Sequence, residues 1–225
     1  MLDRDFLIIG HRGAAALLPE NTLGSFAKAI ELGVDAIELD VYAIDGRLLV
    51  IHDDTLERTT NGKGKLEAHS IAALRALDAG RGERIPFLEE VFDLVAGRVA
   101  INVELKGKHT ALPVAATAAR YPNTKVIASS FDHAELAVFR ATTKATPVAP
   151  LFDKDHSRMF EIAQDLHAWS VNVSRKIASK ALLDAARARG FRTLVYTVND
   201  PAEAARLRRD GATGVFTDCP DKVSG

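Results

Sequence analysis

A single cysteine, Cys219, leaves no intrachain disulfide to form, so cysteine usage gives no sign of an oxidising compartment. Charge of one sign is also missing. Lys and Arg number 29 against 30 Asp and Glu, a formal net charge of -1, so the chain as a whole shows no electrostatic signature of nucleic-acid or anionic-membrane binding. No apolar run approaches the roughly 18 residues of a membrane span. The segment Met1 to Phe6 runs at once into Leu7-Ile8-Ile9, with no basic region ahead of a long apolar stretch. No signal peptide is therefore expected, and a cytoplasmic location is. Low-complexity tracts and evident internal repeats are lacking as well. What is present, 47% hydrophobic and 26% charged residues, describes a globular protein with a sizeable core rather than a disordered or fibrous chain. A length of 225 residues suits one large α/β domain or two small ones.

Strand-like and helix-like segments alternate almost throughout. Phe6 to Gly10 is a short apolar run, read as a buried strand. Leu23, Phe26, Ala27 and Ile30 recur at i, i+3, i+4, i+7, which predicts an amphipathic helix stopped at Gly33. Strands are expected from about residues 6, 35, 99, 125, 147, 169, 191 and 214, with helices between them. Ser179 is a candidate N-cap, and Pro201 after Asp200 suits a first helical position. Leu48 to His52 reads as extended but lies outside the repeat, set off by Asp45-Gly46. Residues 53–85 are polar and Gly-containing, weakly helical around Ile71 to Leu77, and read as an insertion because the alternation resumes after them. Eight βα units favour a (β/α)8 TIM barrel over an open doubly wound sheet, here as one domain over 1–225 with a small insertion after the second strand.

Two strands carry chemistry. In Ile37-Glu38-Leu39-Asp40-Val41, alternation puts Glu38 and Asp40 on one face. In Ile101-Asn102-Val103-Glu104-Leu105-Lys106, it puts Asn102, Glu104 and Lys106 on one face. An antiparallel strand with a wet side would read the same way. A parallel strand, covered on both faces, would bury these acids. Buried carboxylates need cations, from Arg12 and Lys106 or from a divalent metal, and all-oxygen ligands suit Mg²⁺ or Ca²⁺ rather than zinc. Salt bridging without metal is the alternative. His11 and His52 end apolar runs and would reach the rim where C-terminal strand ends meet. Two imidazoles beside three carboxylates and two cations suit proton transfer around a phosphoryl group.

In chain order, His11-Arg12-Gly13, Pro19-Glu20-Asn21-Thr22, Glu38-Leu39-Asp40-Val41, Asp45-Gly46, His52-Asp53, Arg58-Thr59-Thr60, Gly62-Lys63-Gly64, Ile85-Pro86 and Glu104-Leu105-Lys106 resemble the glycerophosphodiester phosphodiesterase family. Ser130-Phe131, Thr197-Val198-Asn199 and Thr217-Asp218 with Pro220 continue the likeness, which spans residues 10–220. The resemblance implies a TIM barrel and metal-dependent hydrolysis of a small-molecule glycerophosphodiester to glycerol 3-phosphate and an alcohol. By motif position it implies Glu38, Asp40 and Glu104 as ligands of Mg²⁺ or Ca²⁺, and His11 and His52 as the acid/base pair. Arg12 and Lys106 would contact phosphate, and Phe131 would line the glycerol side. Tyr196 stands where the family often has Trp, keeping a flat face at that wall but adding a hydroxyl. Glu20 and Asn21 read as loop-bracing and helix-capping groups, and Arg58 and Thr59 as anchors of the insertion. Two rivals are a related phospholipase D-like barrel acting on intact lipids and a non-catalytic barrel that binds phosphorylated polyols.

Overall fold

The computed structural model describes Leu2 and residues 4–223. Among these residues nine strands form one sheet: β1 Leu7–Gly10, β2 Ala36–Ile44, β3 Arg47–Val50, β4 Ala100–Leu105, β5 Val126–Ser130, β6 Val148–Phe152, β7 Ser170–Ser174, β8 Arg192–Tyr196 and β9 Gly214–Thr217. Eight of them are parallel neighbours in a closed ring, because β1 pairs with both β2 and β9. That closure makes the molecule a (β/α)8 barrel and excludes the open doubly wound sheet. The ninth, β3, stands outside the ring as the antiparallel partner of β2. Asp45 and Gly46 turn the chain between them, both with positive φ (46° and 72°), as a two-residue hairpin of this hand requires.

The helices are α1 Leu23–Glu31, α2 Ile71–Ala76, α3 Leu88–Val95, α4 Ala111–Ala119, α5 His133–Thr142, α6 Met159–Asp165, α7 Lys180–Ala188, α8 Pro201–Asp210 and a short α9, Pro220–Val223. Their starts follow local chemistry. Thr22 and Ser179 accept from the backbone N–H three residues on, and Asp200 accepts from Ala202 ahead of Pro201. Among the described residues, no helix is long and apolar enough to cross a membrane.

Strand residues alternate between two cores. Ile37, Leu39, Val41, Ile101 and Val103 face the helices and pack with Phe26 and Phe92. Leu7, Ile9, Ala36, Ala100, Ile127, Ala149, Leu194 and Phe216 face the barrel axis. The segment after β3 has its own apolar centre, in which Leu49, Ile51, Leu56, Leu66, Leu74 and Ile85 are buried together. Residues 53–85 are thus folded against β3 and the barrel.

Phe26 is fully buried between α1 and the sheet. Phe26→Ala should cost about 3–5 kcal/mol, read as a lower urea midpoint with an unchanged m-value.

Candidate active site

The acidic residues converge because of register. β2 and β4 pair so that Glu38 lies beside Asn102 and Asp40 beside Glu104. Along each strand the axis-facing positions pass from small apolar to polar: Ala36, Glu38, Asp40 on β2 and Ala100, Asn102, Glu104 on β4. Glu38, Asp40 and Glu104 are all buried, and each offers an oxygen within 4.8 Å of the others'. Burial, and then the charges of Asp40 and Glu104, push the Glu38 carboxyl well above its ordinary range. Burial and Asp40 push Glu104 up to about 7, against the pull of Lys106.

Two cations offset this crowding. Lys106 Nζ lies 3.1 Å from Glu104 Oε1 and 3.9 Å from Asp40 Oδ1. Arg12 Nε lies 3.3 Å from Asp40 Oδ2, and the Arg12 backbone N–H donates to Glu38 Oε2 at 2.9 Å. Burial disfavours the charge on both cations, yet the surrounding carboxylates outweigh it and hold both above their ordinary values. Arg12 adopts φ 51°, followed by Gly13 at 88°, which swings the loop over the barrel mouth. A Cβ at Gly13 would sit 2.6 Å from the Ser25 carbonyl carbon, so this turn admits only glycine.

The neutralisation is incomplete. Asp40 Oδ1 is enclosed yet accepts no hydrogen bond among the described residues. A free carboxylate oxygen within an all-oxygen acidic triad fits a hard divalent cation. The raised carboxyls carry a stability signature. Their folded-state pKa values exceed the unfolded ones, so the metal-free protein binds more protons than the unfolded chain between about pH 4.5 and 7. The stability they contribute is present below that window and is lost as pH rises through it. Thermal denaturation without metal should therefore show Tm falling across this range, and millimolar Mg²⁺ or Ca²⁺ should raise Tm more at pH 8 than at pH 5.

Both histidines reach this mouth by different routes. His11 follows β1 directly. His52 is brought back by the β2–β3 hairpin, whose register sets Val50 opposite Val41, and the Ile51 N–H donates to the Asp40 carbonyl at 3.0 Å. Each imidazole meets a carboxylate at Nδ1: His11 with Asp218 at 2.6 Å and His52 with Asp53 at 2.5 Å. Nε2 is thereby left as the nitrogen free to exchange a proton. That of His52 lies 3.4 Å from Lys106 Nζ. Burial lowers the His52 pKa, partly countered by Asp40 and Asp53.

A cavity of about 180 Å³ opens over the triad, walled by His11, Arg12, Glu38, His52, Glu104, Phe131 and Tyr196, with Asn102 and Ser129 among its other lining residues. Asp40 and Lys106 are not in its wall but touch residues that are. Phe131, 47% exposed, meets Tyr196 edge-on with ring centroids 6.0 Å apart. The Tyr196 hydroxyl donates to the Phe152 carbonyl at 2.7 Å, which accounts for the group that Tyr adds at this wall. A larger groove of about 730 Å³ lies beside Phe6 and Arg208 and contains none of the triad or either site histidine.

All nine residues singled out from the sequence thus lie at or against one barrel mouth. Sequence reasoning assigned no role to Asp53 and Asp218, which orient the imidazoles. The pair His52-Asp53 offered adjacency as a clue, whereas His11 and Asp218 are 207 positions apart and meet only through barrel closure. Asn21 is not the helix cap: Thr22 caps α1, and Asn21 Nδ2 donates to Asp40 Oδ2 at 2.9 Å.

The profile of the Glycerophosphoryl diester phosphodiesterase family matches residues 11–222. The chain belongs to this family. A glycerophosphodiester phosphodiesterase of Caldanaerobacter subterraneus subsp. tengcongensis is 32% identical over 232 residues, covering 96% of each chain. A glycerophosphodiester phosphodiesterase from Thermotoga maritima superposes with a TM-score of 0.84 at 31% identity, covering 97% of this chain and 96% of that one. An Oleispira antarctica phosphodiesterase, solved with the product sn-glycerol-3-phosphate, gives a TM-score of 0.89 at 27% identity, covering 97% and 95%. This member of the glycerophosphodiester phosphodiesterase family is accordingly a phosphoric diester hydrolase, with its C-terminal strand ends as the place to seek the chemistry.

Proposed function

We propose that the enzyme hydrolyses glycerophosphodiesters to sn-glycerol 3-phosphate and an alcohol, with Glu38, Asp40 and Glu104 holding one divalent cation and with His11 and His52 moving the protons. The observation that carries this reading is the meeting of a buried acidic triad with two carboxylate-oriented imidazoles in one cavity wall. The glycerol 3-phosphate found in the Oleispira relative supports the product assignment. When bound, the cation supplies Lewis-acid stabilisation of negative charge on the phosphoryl oxygens, and oxygen donors suit Mg²⁺ or Ca²⁺ for that task.

The chain's own groups do the rest. Arg12, a cation walling the cavity, pairs with the anionic phosphodiester and holds it against the triad. Lys106 adds positive charge beside Glu104 and His52. One imidazole Nε2 takes the proton of the attacking hydroxyl, from water or from the neighbouring glycerol oxygen. The other donates a proton to the departing alkoxide. The Nδ1 contacts with Asp53 and Asp218 keep each ring in the tautomer this exchange needs. Phe131 and the Tyr196 ring, set edge-on to each other, offer apolar surface to the glycerol carbons.

Purified protein should release glycerol 3-phosphate from glycerophosphocholine with Mg²⁺ or Ca²⁺ and lose that activity with chelator. Absence of release from any glycerophosphodiester, with or without metal, would favour the phosphopolyol-binding alternative. His11→Ala and His52→Ala should each lower kcat by about 10²–10⁴-fold. The profile of kcat/KM against pH should be bell-shaped. Asp53 raises the His52 pKa, so Asp53→Asn should move the limb that His52 controls to lower pH. A limb that stays in place or moves up would remove His52 from the titration. Tyr196→Phe should leave kcat/KM within about threefold, because the hydroxyl is taken up by the Phe152 carbonyl, whereas Tyr196→Ala, which removes the ring, should raise KM.

A further inference from the structure

We propose that Arg58, carried by the segment between β3 and α3, is a positioning residue that sets His52 and Arg12 together. This rests on the two-histidine reading above and adds to it a part for the inserted segment.

One guanidinium holds two carboxylates. Its Nε and Nη2 donate to Asp53 Oδ2 and Oδ1 at 2.6 and 3.1 Å. Its Nη1 and Nη2 donate to Glu20 Oε2 and Oε1 at 2.7 and 2.9 Å. Each carboxylate is already engaged with a residue of the cavity wall. Asp53 Oδ1 meets His52 Nδ1, and Glu20 Oε1 accepts from Arg12 Nη1 at 2.8 Å. The chain of contacts therefore runs His52, Asp53, Arg58, Glu20, Arg12, and then to Asp40 of the triad.

Charge explains why a cation is needed at the centre. Asp53 and Glu20 bond to the same nitrogen, Nη2, so the two anions are near neighbours. Without Arg58 they would repel, and each would swing the wall residue it holds. With Arg58 both carboxyls stay below their ordinary range despite partial burial. Lysine would not serve equally, because an ammonium is a point charge without the planar fork that grips two carboxylates at once.

The segment that carries Arg58 is itself fixed. Leu56 is fully buried, its N–H donates to the Gly64 carbonyl at 3.0 Å, and the Asn61 N–H donates to the Asp78 carbonyl at 3.0 Å. The Arg58 side chain is 46% exposed, so its ion pairs add little to global stability. His11 lacks this arrangement, because its partner Asp218 is held by the neutral amide of Asn199 at 2.8 Å. The two imidazoles are thus supported differently, one by a side-chain amide and one by a cation shared with Arg12.

The test compares Arg58→Ala, Arg58→Lys, Glu20→Gln and Arg58→Ala/Glu20→Gln with the parent enzyme on glycerophosphocholine and metal. Arg58→Ala should lower kcat by about 10–100-fold, the range for groups that orient an active-site ligand, with a smaller rise in KM through Arg12 and Tm little changed. Arg58→Lys should recover only part of kcat, and it stands in if the alanine variant does not fold. Arg58→Ala/Glu20→Gln should be little worse than the more damaged single variant, because both act through one chain of contacts. Parental kcat in Arg58→Ala or Arg58→Lys, a defect confined to KM, or losses that multiply in the double variant would each overturn the proposal. His52→Ala is the control. Parental activity there would overturn the two-histidine reading, whereas its inactivation beside a fully active Arg58→Ala would overturn only the role given to Arg58.

Discussion

Three carboxylates buried at one end of a closed sheet are the constraint around which the mouth of this barrel is arranged. Glu38, Asp40 and Glu104 repel one another where little water screens them, and burial alone disfavours each charge. Neighbouring groups answer that crowding. Arg12 is held over the mouth by a left-handed backbone and the glycine after it. Lys106, one step past β4, folds back onto Glu104 and Asp40. Asn21 donates to Asp40 from the loop before α1. One oxygen of Asp40 still has no hydrogen-bond partner among the described residues, a feature that suits a divalent cation.

The barrel makes this concentration of charge tolerable by separating it along the strands. Ala36 and Ala100 lie deeper in an apolar interior with Leu7, Ile127 and Phe216. Two residues later on the same face come Glu38 and Asn102, and two later again Asp40 and Glu104. The opposite face of both strands is wholly apolar against the helices. Packing and polar chemistry therefore use different ends of the same strands, and substitutions at the rim need not disturb the core.

The two histidines reach one rim by different routes, each with its own carboxylate partner. His11 directly follows the first barrel strand, and its carboxylate partner directly follows the last, so their contact reports closure of the ring. His52 lies beyond β3, which stands outside the ring, and its partner is the next residue. The antiparallel hairpin at Asp45-Gly46 returns the chain to the level of Asp40 and places His52 on the same rim. The inserted segment is in this respect continuous with the chemistry, since its backbone begins where the imidazole is presented.

Alternation within Ile37–Val41 and Ile101–Leu105 was enough to pair Glu38 with Asp40 and to set Glu104 on the polar face of its strand, because a strand's side-chain period is local. Helix starts at Ser179 and Asp200 were equally local, since a cap acts on the next few amides. The eightfold rhythm of strand and helix pointed to a barrel by count, but only the pairing of β1 with β2 and β9 closed it. Loop side chains carried no periodicity from which to read a direction, so the aim of Asp218 at His11 and the turning of Asn21 toward Asp40 were decided by tertiary contacts, as was the bond from the Tyr196 hydroxyl to the Phe152 carbonyl. Residue types and their spacing along each strand belong to the sequence; which distant loops meet depends on strand register and ring closure, which bring together residues as far apart as positions 11 and 218.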